Sequence, residues 1–190
     1  MIRPAVLFLA ALLMAHNVPA RAEDAPKGLF TQDGRRFDEA SLTGGWHLVY
    51  FGYTQCPDIC PTSLFEMTAA IDRLPVELRP RVTPVFVTVD PARDTSAVMS
   101  NYVKPLGHGF VTVSGDIESI DRFAFRNKIV AIRHLDQGAD YLVDHSSYLL
   151  LFGPDGREIE RFPYDMDFQE VSRRIGAHMA ATSPASPGAG

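Results

Sequence analysis

The sequence predicts a single α/β domain in which helices flank a mixed central β-sheet and a β-hairpin precedes it. A chain of 190 residues, 46% of them hydrophobic, suits one ordinary core. Apolar runs of strand length alternate with segments of helical periodicity along the chain, and a second hairpin and a helix close it. The alternation indicates parallel strands, and the hairpins add antiparallel ones.

The N-terminal segment, residues 1–22, is expected to be a cleaved signal peptide. Arg3 precedes an apolar run from Ala5 to Ala15, and Ala20-Arg21-Ala22 offers the small-x-small pattern that signal peptidase cuts. Polar residues and a proline interrupt the run well short of the ~20 apolar residues that a membrane-spanning helix needs. The protein is therefore expected to be exported to the periplasm, or to stay membrane-associated if the segment is retained.

The remaining chain is acidic. Loss of residues 1–22 would leave 16 basic against 23 acidic residues and move the formal net charge from −5 to −7. This balance is a poor electrostatic match for nucleic acid, so no nucleic-acid partner is expected. The domain is expected to span residues 23–179. Residues 180–190 contain only Ala, Thr, Ser, Pro and Gly and are expected to form a disordered tail.

The first elements lead from a hairpin to two cysteines. Asp33-Gly34 lies within the semi-apolar stretch from Leu29 to Phe37, which is typical of a hairpin turn between short strands. The aromatic and β-branched run from Trp46 to Tyr53 suits a buried central strand. Cys56 and Cys60 are therefore expected at the C-terminal end of this strand.

A helix and a second buried strand follow the cysteines. Leu64, Met67 and Ile71 recur at steps of three and four residues, and Pro75 closes the helix. The almost unbroken apolar run from Val82 to Val89 predicts a strand that is covered on both faces.

The next elements are shorter. A helix capped by Asp94 or Thr95 is expected to reach about Val103. A short strand from Phe110 to Val113 and a short helix from Ile117 to Phe125 come next.

The C-terminal part predicts a hairpin and a helix. Strands from Tyr148 to Phe152 and from Glu158 to Phe162 flank Gly153-Pro154-Asp155-Gly156, a four-residue loop. The last helix is expected from about Phe168 to Met179. A βαβα unit followed by a hairpin and a helix is the thioredoxin-like layout.

Cys56 and Cys60 place two thiols four residues apart, immediately before a helix. The positive end of the helix dipole stabilises a thiolate and lowers its pKa. Two such thiolates bind a soft metal or form a redox-active disulfide, and the spacing alone leaves both alternatives open. A purely structural disulfide is less well supported, because closing so small a loop gains only about 2 kcal/mol.

Three segments resemble the signatures of one known family. They are Gly52-Tyr53-Thr54-Gln55-Cys56-Pro57-Asp58-Ile59-Cys60-Pro61, Val89-Asp90-Pro91-Ala92-Arg93-Asp94-Thr95, and Val143-Asp144-His145-Ser146-Ser147 followed by Gly153-Pro154-Asp155-Gly156. In type and order they are similar to the Sco/SenC family. The resemblance covers roughly Gly28 to Gly176.

The resemblance implies a thioredoxin-fold copper protein that helps to assemble the binuclear copper A centre of cytochrome c oxidase. Its copper ligands would be Cys56, Cys60 and His145. The implied partner is the copper A subunit of the oxidase, and a periplasmic copper donor is a further candidate. A thioredoxin-like reductant is expected as well, because copper binding requires both thiols reduced and exported compartments tend to oxidise them. Many relatives are tethered by a transmembrane helix or a lipid, whereas this sequence predicts a cleavable leader.

The position of His145 agrees with this implication. It lies just before the strand from Tyr148 to Phe152, and in a thioredoxin-like fold this segment faces the helix end that carries the cysteines. Two thiolates and one imidazole suit Cu(I) in a trigonal site, and the same set holds Cu(II) if an oxygen joins. Zinc is the rival ion, but structural zinc normally takes four protein ligands.

Two carboxylates are candidates for tuning or orienting the site without binding the metal. Asp90 ends its strand at the sheet edge that carries the cysteines, so it either tunes copper or thiol chemistry or serves only as a turn residue before Pro91. Asp144 either orients the site or lies in a solvated loop. The remaining histidines of the domain fit no ligand spacing with the cysteines; they are His47, His108, His134 and His178.

Two functions compete for these residues. A copper chaperone binds one ion and delivers it, whereas a thiol–disulfide oxidoreductase uses Cys56 and Cys60 to keep the cysteines of an exported protein reduced. Thioredoxin-type catalysts usually carry Cys-x-x-Cys and a proline opposite, but this chain has three intervening residues and His145. A peroxiredoxin-like peroxidase would need Thr where Tyr53 stands. The chaperone is therefore the preferred function.

Overall fold

The computed structural model describes residues 27–182, so the predicted signal peptide and residues 183–190 of the predicted tail lie outside the described residues. Strands and helices alternate as the sequence predicts. In chain order they are β1 (Leu29–Thr31), β2 (Arg36–Phe37), β3 (Trp46–Gly52), α1 (Ile59–Arg73), β4 (Val82–Thr88), α2 (Ser96–Val103), β5 (Val111–Gly115), α3 (Ile117–Arg126), β6 (Ala131–Arg133), β7 (Val143–His145), β8 (Tyr148–Phe152), β9 (Glu158–Pro163) and α4 (Phe168–Thr182).

The main sheet has seven strands in the order β2-β1-β5-β4-β3-β8-β9. Strands β3, β4 and β5 are parallel, whereas β1 and β8 join this unit antiparallel on its two sides. Both predicted hairpins, β1–β2 and β8–β9, are present. Gly52 pairs with Thr88, so the C-terminal ends of β3 and β4 lie at one edge of the sheet.

The core fixes α1 against the sheet. Every residue of β3 from Leu48 to Gly52 is buried, which requires cover on both sheet faces. The predicted apolar stripe of α1 is also buried, at Leu64, Met67 and Ile71. Each such side chain contributes about 1.5 to 3 kcal/mol by leaving water. The first turn of α1 is therefore held in place beside the end of β3.

A second, two-stranded sheet was not expected from the sequence. Strands β6 and β7 pair antiparallel, with Ala131 opposite His145 and Arg133 opposite Val143. His145 thus ends a strand of its own rather than lying in a loop that leads to β8. Strands of three residues are too short to show the alternation by which a strand is read from sequence.

Two boundaries also differ from the prediction. Helix α4 continues to Thr182, so residues 180–182, which were assigned to the tail, are helical. Helix α1 begins at Ile59, ahead of Pro61, so Cys60 is itself a helical residue. None of the helices between residues 27 and 182 has both the length and the apolar character that crossing a membrane requires.

Candidate metal centre

The loop from β3 to α1 places both cysteines at the start of the helix. Asp58, which precedes α1, makes no side-chain capping hydrogen bond. Instead, the backbone N–H of Cys60 donates to the Cys56 sulfur at 3.4 Å, so sulfur takes the place of a capping oxygen. Neither cysteine is in a disulfide, so both sulfurs are available to bind a metal as thiolates. The disulfide between them stays a prediction.

Gly52 allows the Cys60 sulfur to lie close to strand β3. A Cβ atom built on Gly52 would lie 2.9 Å from Cys60 Sγ and 2.7 Å from a ring carbon of Tyr50. Both distances are shorter than van der Waals contact permits. The glycine at this position therefore allows the sulfur of the fully buried Cys60 to lie against strand β3.

His145 meets the cysteines from the opposite side. Its Nε2 lies 3.2 Å from Cys60 Sγ, and the ligand atoms of Cys56, Cys60 and His145 all lie within 4.8 Å of one another. The other ring nitrogen, Nδ1, is 3.1 Å from the carbonyl of Ser146. A proton on Nδ1 that donates to this carbonyl leaves the Nε2 lone pair directed at the sulfur atoms.

The two thiols have opposite proton affinities. The thiol of Cys60 donates to Cys56, and with backbone N–H groups of Asp58 and Cys60 it lowers the pKa of Cys56 to about 5, against the opposing effect of burial. The same hydrogen bond, followed by burial, raises the pKa of Cys60. At neutral pH one thiolate is thus present, and binding a metal through both sulfurs must release the proton of Cys60.

The donor set fits a soft metal ion. Two sulfurs and one imidazole nitrogen converge, and among residues 27–182 no fourth His, Cys, Asp or Glu belongs to the cluster. Two soft thiolates and one imidazole suit three-coordinate Cu(I), whereas structural zinc normally takes four ligands. Cys56, Cys60 and His145 are therefore the residues that would hold copper in this protein.

Asp90 lies near the site but does not contact the ligands. Its side chain is fully buried and accepts hydrogen bonds from Arg93 Nε and, at 2.5 Å, from the hydroxyl of Tyr141. Arg93 in turn contacts Gln55, the neighbour of Cys56. Asp90 is therefore linked to the cysteine loop through Arg93 and Gln55 rather than by a contact with a ligand.

The structure does not bring Asp144 to the sulfur atoms. Successive side chains of a strand point to opposite faces, so Asp144 faces away from His145 in β7. Its carboxylate is exposed and lies 2.7 Å from Nε2 of His134. Of the other histidines, His178 pairs with Glu160 and His108 lies near Asp72, as expected for residues without a ligand role.

The sequence did not predict the aromatic rings that pack around His145. The rings of Tyr50 and Tyr53 meet the imidazole edge to face, with ring centres 6.1 and 5.9 Å away. The hydroxyl of Tyr53 also accepts a hydrogen bond from the backbone N–H of Val143 in β7. Tyr50 lies in β3 and Tyr53 directly follows that strand, so their closeness to the cysteines in sequence is the signal that could have identified them.

Comparison with known proteins agrees with this geometry. The SCO1/SenC family profile matches residues 19–180. The human "Protein SCO1 homolog, mitochondrial" is 35% identical over 156 residues, which are 81% of this chain and 52% of the human protein. The match spans only about half the length of this human protein and of "Protein SCO1 homolog 1, mitochondrial" of Arabidopsis thaliana, at 52% and 44%.

Solved structures show the same fold. ScoI of Arabidopsis thaliana with copper bound matches at a TM-score of 0.75 and 33% identity, over 82% of this chain and 97% of that one. ScoI of Bradyrhizobium japonicum with copper bound matches at 0.71 and 32% identity, over 80% and 96%. The predicted thioredoxin-like fold is thereby confirmed. A profile that covers most of the sequence, with relatives of this identity, shows that the chain belongs to the SCO1/SenC family.

Proposed function

We propose that this protein is a copper chaperone that binds one copper ion through Cys56, Cys60 and His145 and delivers it to the copper A centre of cytochrome c oxidase. The observation that carries the proposal is the convergence of two sulfurs and an imidazole nitrogen within 4.8 Å. Relatives at 32–33% identity have been solved with copper bound. The oxidase client follows from the family resemblance.

The same geometry makes thiol–disulfide exchange the weaker candidate. Exchange needs an accessible thiolate and a leaving thiol, which Cys56 and Cys60 supply without an imidazole. A histidine nitrogen 3.2 Å from the buried sulfur is not required for that chemistry, whereas copper would use it as a third ligand. The placement of His145 therefore favours metal binding.

The environment of the protein is part of the proposal. Copper binding requires both thiols reduced, and exported compartments tend to oxidise them, so a reducing partner such as a thioredoxin-like protein belongs to the proposed cycle. We further propose that the protein acts in the periplasm and receives its copper from a donor protein there. The redox chemistry of the site supports the reducing partner.

The test separates the two functions at His145. We expect His145→Ala to weaken Cu(I) binding at least about tenfold, or about 1.4 kcal/mol, because copper loses one of three ligands. Cys56 and Cys60 should still form and exchange their disulfide. Cu(I) affinity is measured by competition with a chromophoric chelator. His178→Ala is the matched control, since that ring pairs with Glu160 and is expected to leave the affinity unchanged.

An oxidase-assembly assay completes the test. Failure of copper A assembly with His145→Ala, relieved by excess copper, would support delivery. Normal assembly despite weakened copper binding would overturn the chaperone proposal and leave thiol reduction as the function.

A further inference from the structure

Arg93 carries a charged group into the interior beside the candidate site. It follows β4, and its side chain is only 13% exposed. Its Nε pairs with the carboxylate of Asp90, which is 1% exposed. Withdrawing both charges from water costs several kcal/mol for each ion, and further hydrogen bonds must offset that cost. The segments that these further hydrogen bonds reach therefore indicate which parts of the structure the buried pair holds together.

The other hydrogen bonds of Arg93 reach two separate segments. Nη1 donates to the side-chain oxygen of Gln55 at 2.9 Å and to the carbonyl of Ala139 at 3.4 Å. Gln55 precedes Cys56, whereas Ala139 lies in the connection from β6 to β7, the strand that ends at His145. One guanidinium thus joins the cysteine loop to the histidine-bearing segment.

Aromatic packing extends this bridge to the imidazole. The central guanidinium carbon lies 3.6 Å from the ring centre of Tyr141 and 5.7 Å from that of Tyr53. Tyr53 packs edge to face against His145, and its hydroxyl accepts the N–H of Val143. The contacts therefore run without a break from Arg93 to the side chain and the backbone of β7.

Strand β7 needs support of this kind. It has three residues, and within residues 27–182 its sheet contains only one other strand, β6. An isolated two-stranded ribbon is marginally stable in water. Because Cys60 and His145 lie 85 positions apart in the chain, the distance between their ligand atoms depends on how this ribbon is held against the cysteine loop.

We propose that Arg93 is a positioning residue for copper, and that it sets the approach of His145 to Cys56 and Cys60 by holding the segment from Ala139 to His145 against the cysteine loop. The inference rests on the proposed copper site. It assigns Arg93 no contact with the metal. Lysine cannot replace it, because an ammonium group lacks the planar fork that bonds Asp90, Gln55 and Ala139 while stacking on Tyr141.

A double-mutant cycle tests the proposal. Arg93→Lys is expected to weaken Cu(I) binding about tenfold, a loss of about 1.4 kcal/mol. In the His145→Ala background the same substitution should change the affinity by no more than about twofold, since its effect passes through the imidazole. Equal losses in both backgrounds would overturn the proposal, because they would show that Arg93 acts independently of His145.

Arg161→Lys is the matched control. Arg161 makes the same three kinds of contact, with the carboxylate of Glu158, the carbonyl of Asn127 and the ring of Tyr148. None of these contacts involves the cysteine loop or the segment from Ala139 to His145. We expect unchanged Cu(I) affinity for this variant, and an equal loss in both lysine variants would also overturn the proposal.

A metal-free measurement separates this inference from the proposed function. In the reduced apo protein, the ring resonances of His145 in NMR spectra should shift with Arg93→Lys and not with Arg161→Lys. Gln55→Ala, at an exposed position, should move them in the same direction and carries the test if Arg93→Lys does not fold. A wild-type protein that binds no copper would end the proposed function, whereas unmoved His145 resonances in the variants would end the positioning role.

Discussion

At the scale of single residues, the two cysteines of the site are chemically unequal. Cys56 is half-buried and its thiolate accepts hydrogen bonds from the Cys60 thiol and from backbone N–H groups, whereas Cys60 is fully buried and keeps its proton. Cys56 is thus the sulfur that meets an incoming ion or reagent first. Cys60 forms the buried side of the site.

This inequality predicts the pH dependence of alkylation. Because the pKa of Cys56 is lowered from its ordinary value to about 5, its reaction with iodoacetamide should reach half its maximal rate at about pH 5 and stay nearly constant from about pH 7 to pH 8. An unperturbed thiol would still be gaining rate at about pH 8.5. Mass spectrometry of the reduced apo protein assigns the label. In Cys60→Ala the midpoint should rise, because the strongest hydrogen-bond donor is lost, and an unchanged midpoint would contradict this cause.

Asp90 offers a second prediction at this scale. Asp90→Asn removes the charge that faces Arg93 in the interior, and breaking a buried pair in this way costs about 3 kcal/mol of unfolding free energy. Urea unfolding measures the loss. Asp33→Asn, which breaks an exposed pair with Arg35, is the control and should leave the urea midpoint nearly unchanged.

Copper binding decides the role of Asp90. If the residue tunes the site through Arg93, Asp90→Asn should also alter Cu(II) affinity or the alkylation rate of Cys56. A variant that loses stability but keeps both properties would leave Asp90 as a turn residue before Pro91.

At the scale of elements, the junction of β3 with α1 forms half of the site. The strand ends at Gly52, the cysteine loop follows, and the helix begins at Ile59 with Cys60 in its first turn. Burial of the α1 stripe fixes the helix, and the missing Cβ of Gly52 lets the sulfur of Cys60 approach the strand. The burial of Cys60 therefore depends on both the position of α1 and the absence of a side chain at Gly52.

Gly52→Ala tests this junction. The added methyl group would overlap Cys60 Sγ and the Tyr50 ring, so we expect a loss of about 1 to 3 kcal/mol in stability and weaker Cu(I) binding. Gly176→Ala is the control, because its new Cβ would lie 3.8 Å from Leu74 in ordinary contact. In a helix that substitution should raise stability by roughly 0.5 to 1 kcal/mol. Equal behaviour of the two variants in unfolding and copper titrations would refute the steric argument.

At the scale of the whole molecule, the site closes only when distant parts of the chain fold together. The cysteines are held by the main sheet and α1, whereas His145 belongs to the small β6–β7 sheet. An unfolded chain does not keep Cys60 and His145 together, so metal binding should couple to folding. Copper bound by the native state alone stabilises that state by mass action.

The expected result is a redox-dependent thermal shift. At free Cu(I) of about 1,000 times the dissociation constant, the reduced protein should gain about 4 kcal/mol, or about 10 °C in Tm for a domain of this size. Calorimetry measures the shift. The oxidised protein with a Cys56–Cys60 disulfide should gain almost nothing, because its sulfurs are no longer thiolates. The same shift in both forms would exclude these cysteines as the ligands.

The sequence by itself determined the fold class, the family and the residue types of the site. Long apolar runs such as Val82 to Val89 specify buried strands locally, and the cysteine pair before a helix is a local pattern as well. The three segments that resemble the family signatures indicated Cys56, Cys60 and His145 as candidate copper ligands, and no contact between them had to be known. These features could be read because each depends on neighbours within a few positions.

Only the tertiary structure decided which polar groups meet. Asp90 and Tyr141 are 51 positions apart, and their hydrogen bond gives Asp90 partners that no spacing indicates. Asp144 adjoins His145 in sequence, yet the alternation of β7 turns it to solvent and toward His134. Strands β6 and β7 are too short to show an alternation of their own, and their formation depends on pairing and on long-range contacts such as those of Arg93. The approach of His145 to the sulfurs is therefore a property of packing, which a linear pattern does not encode.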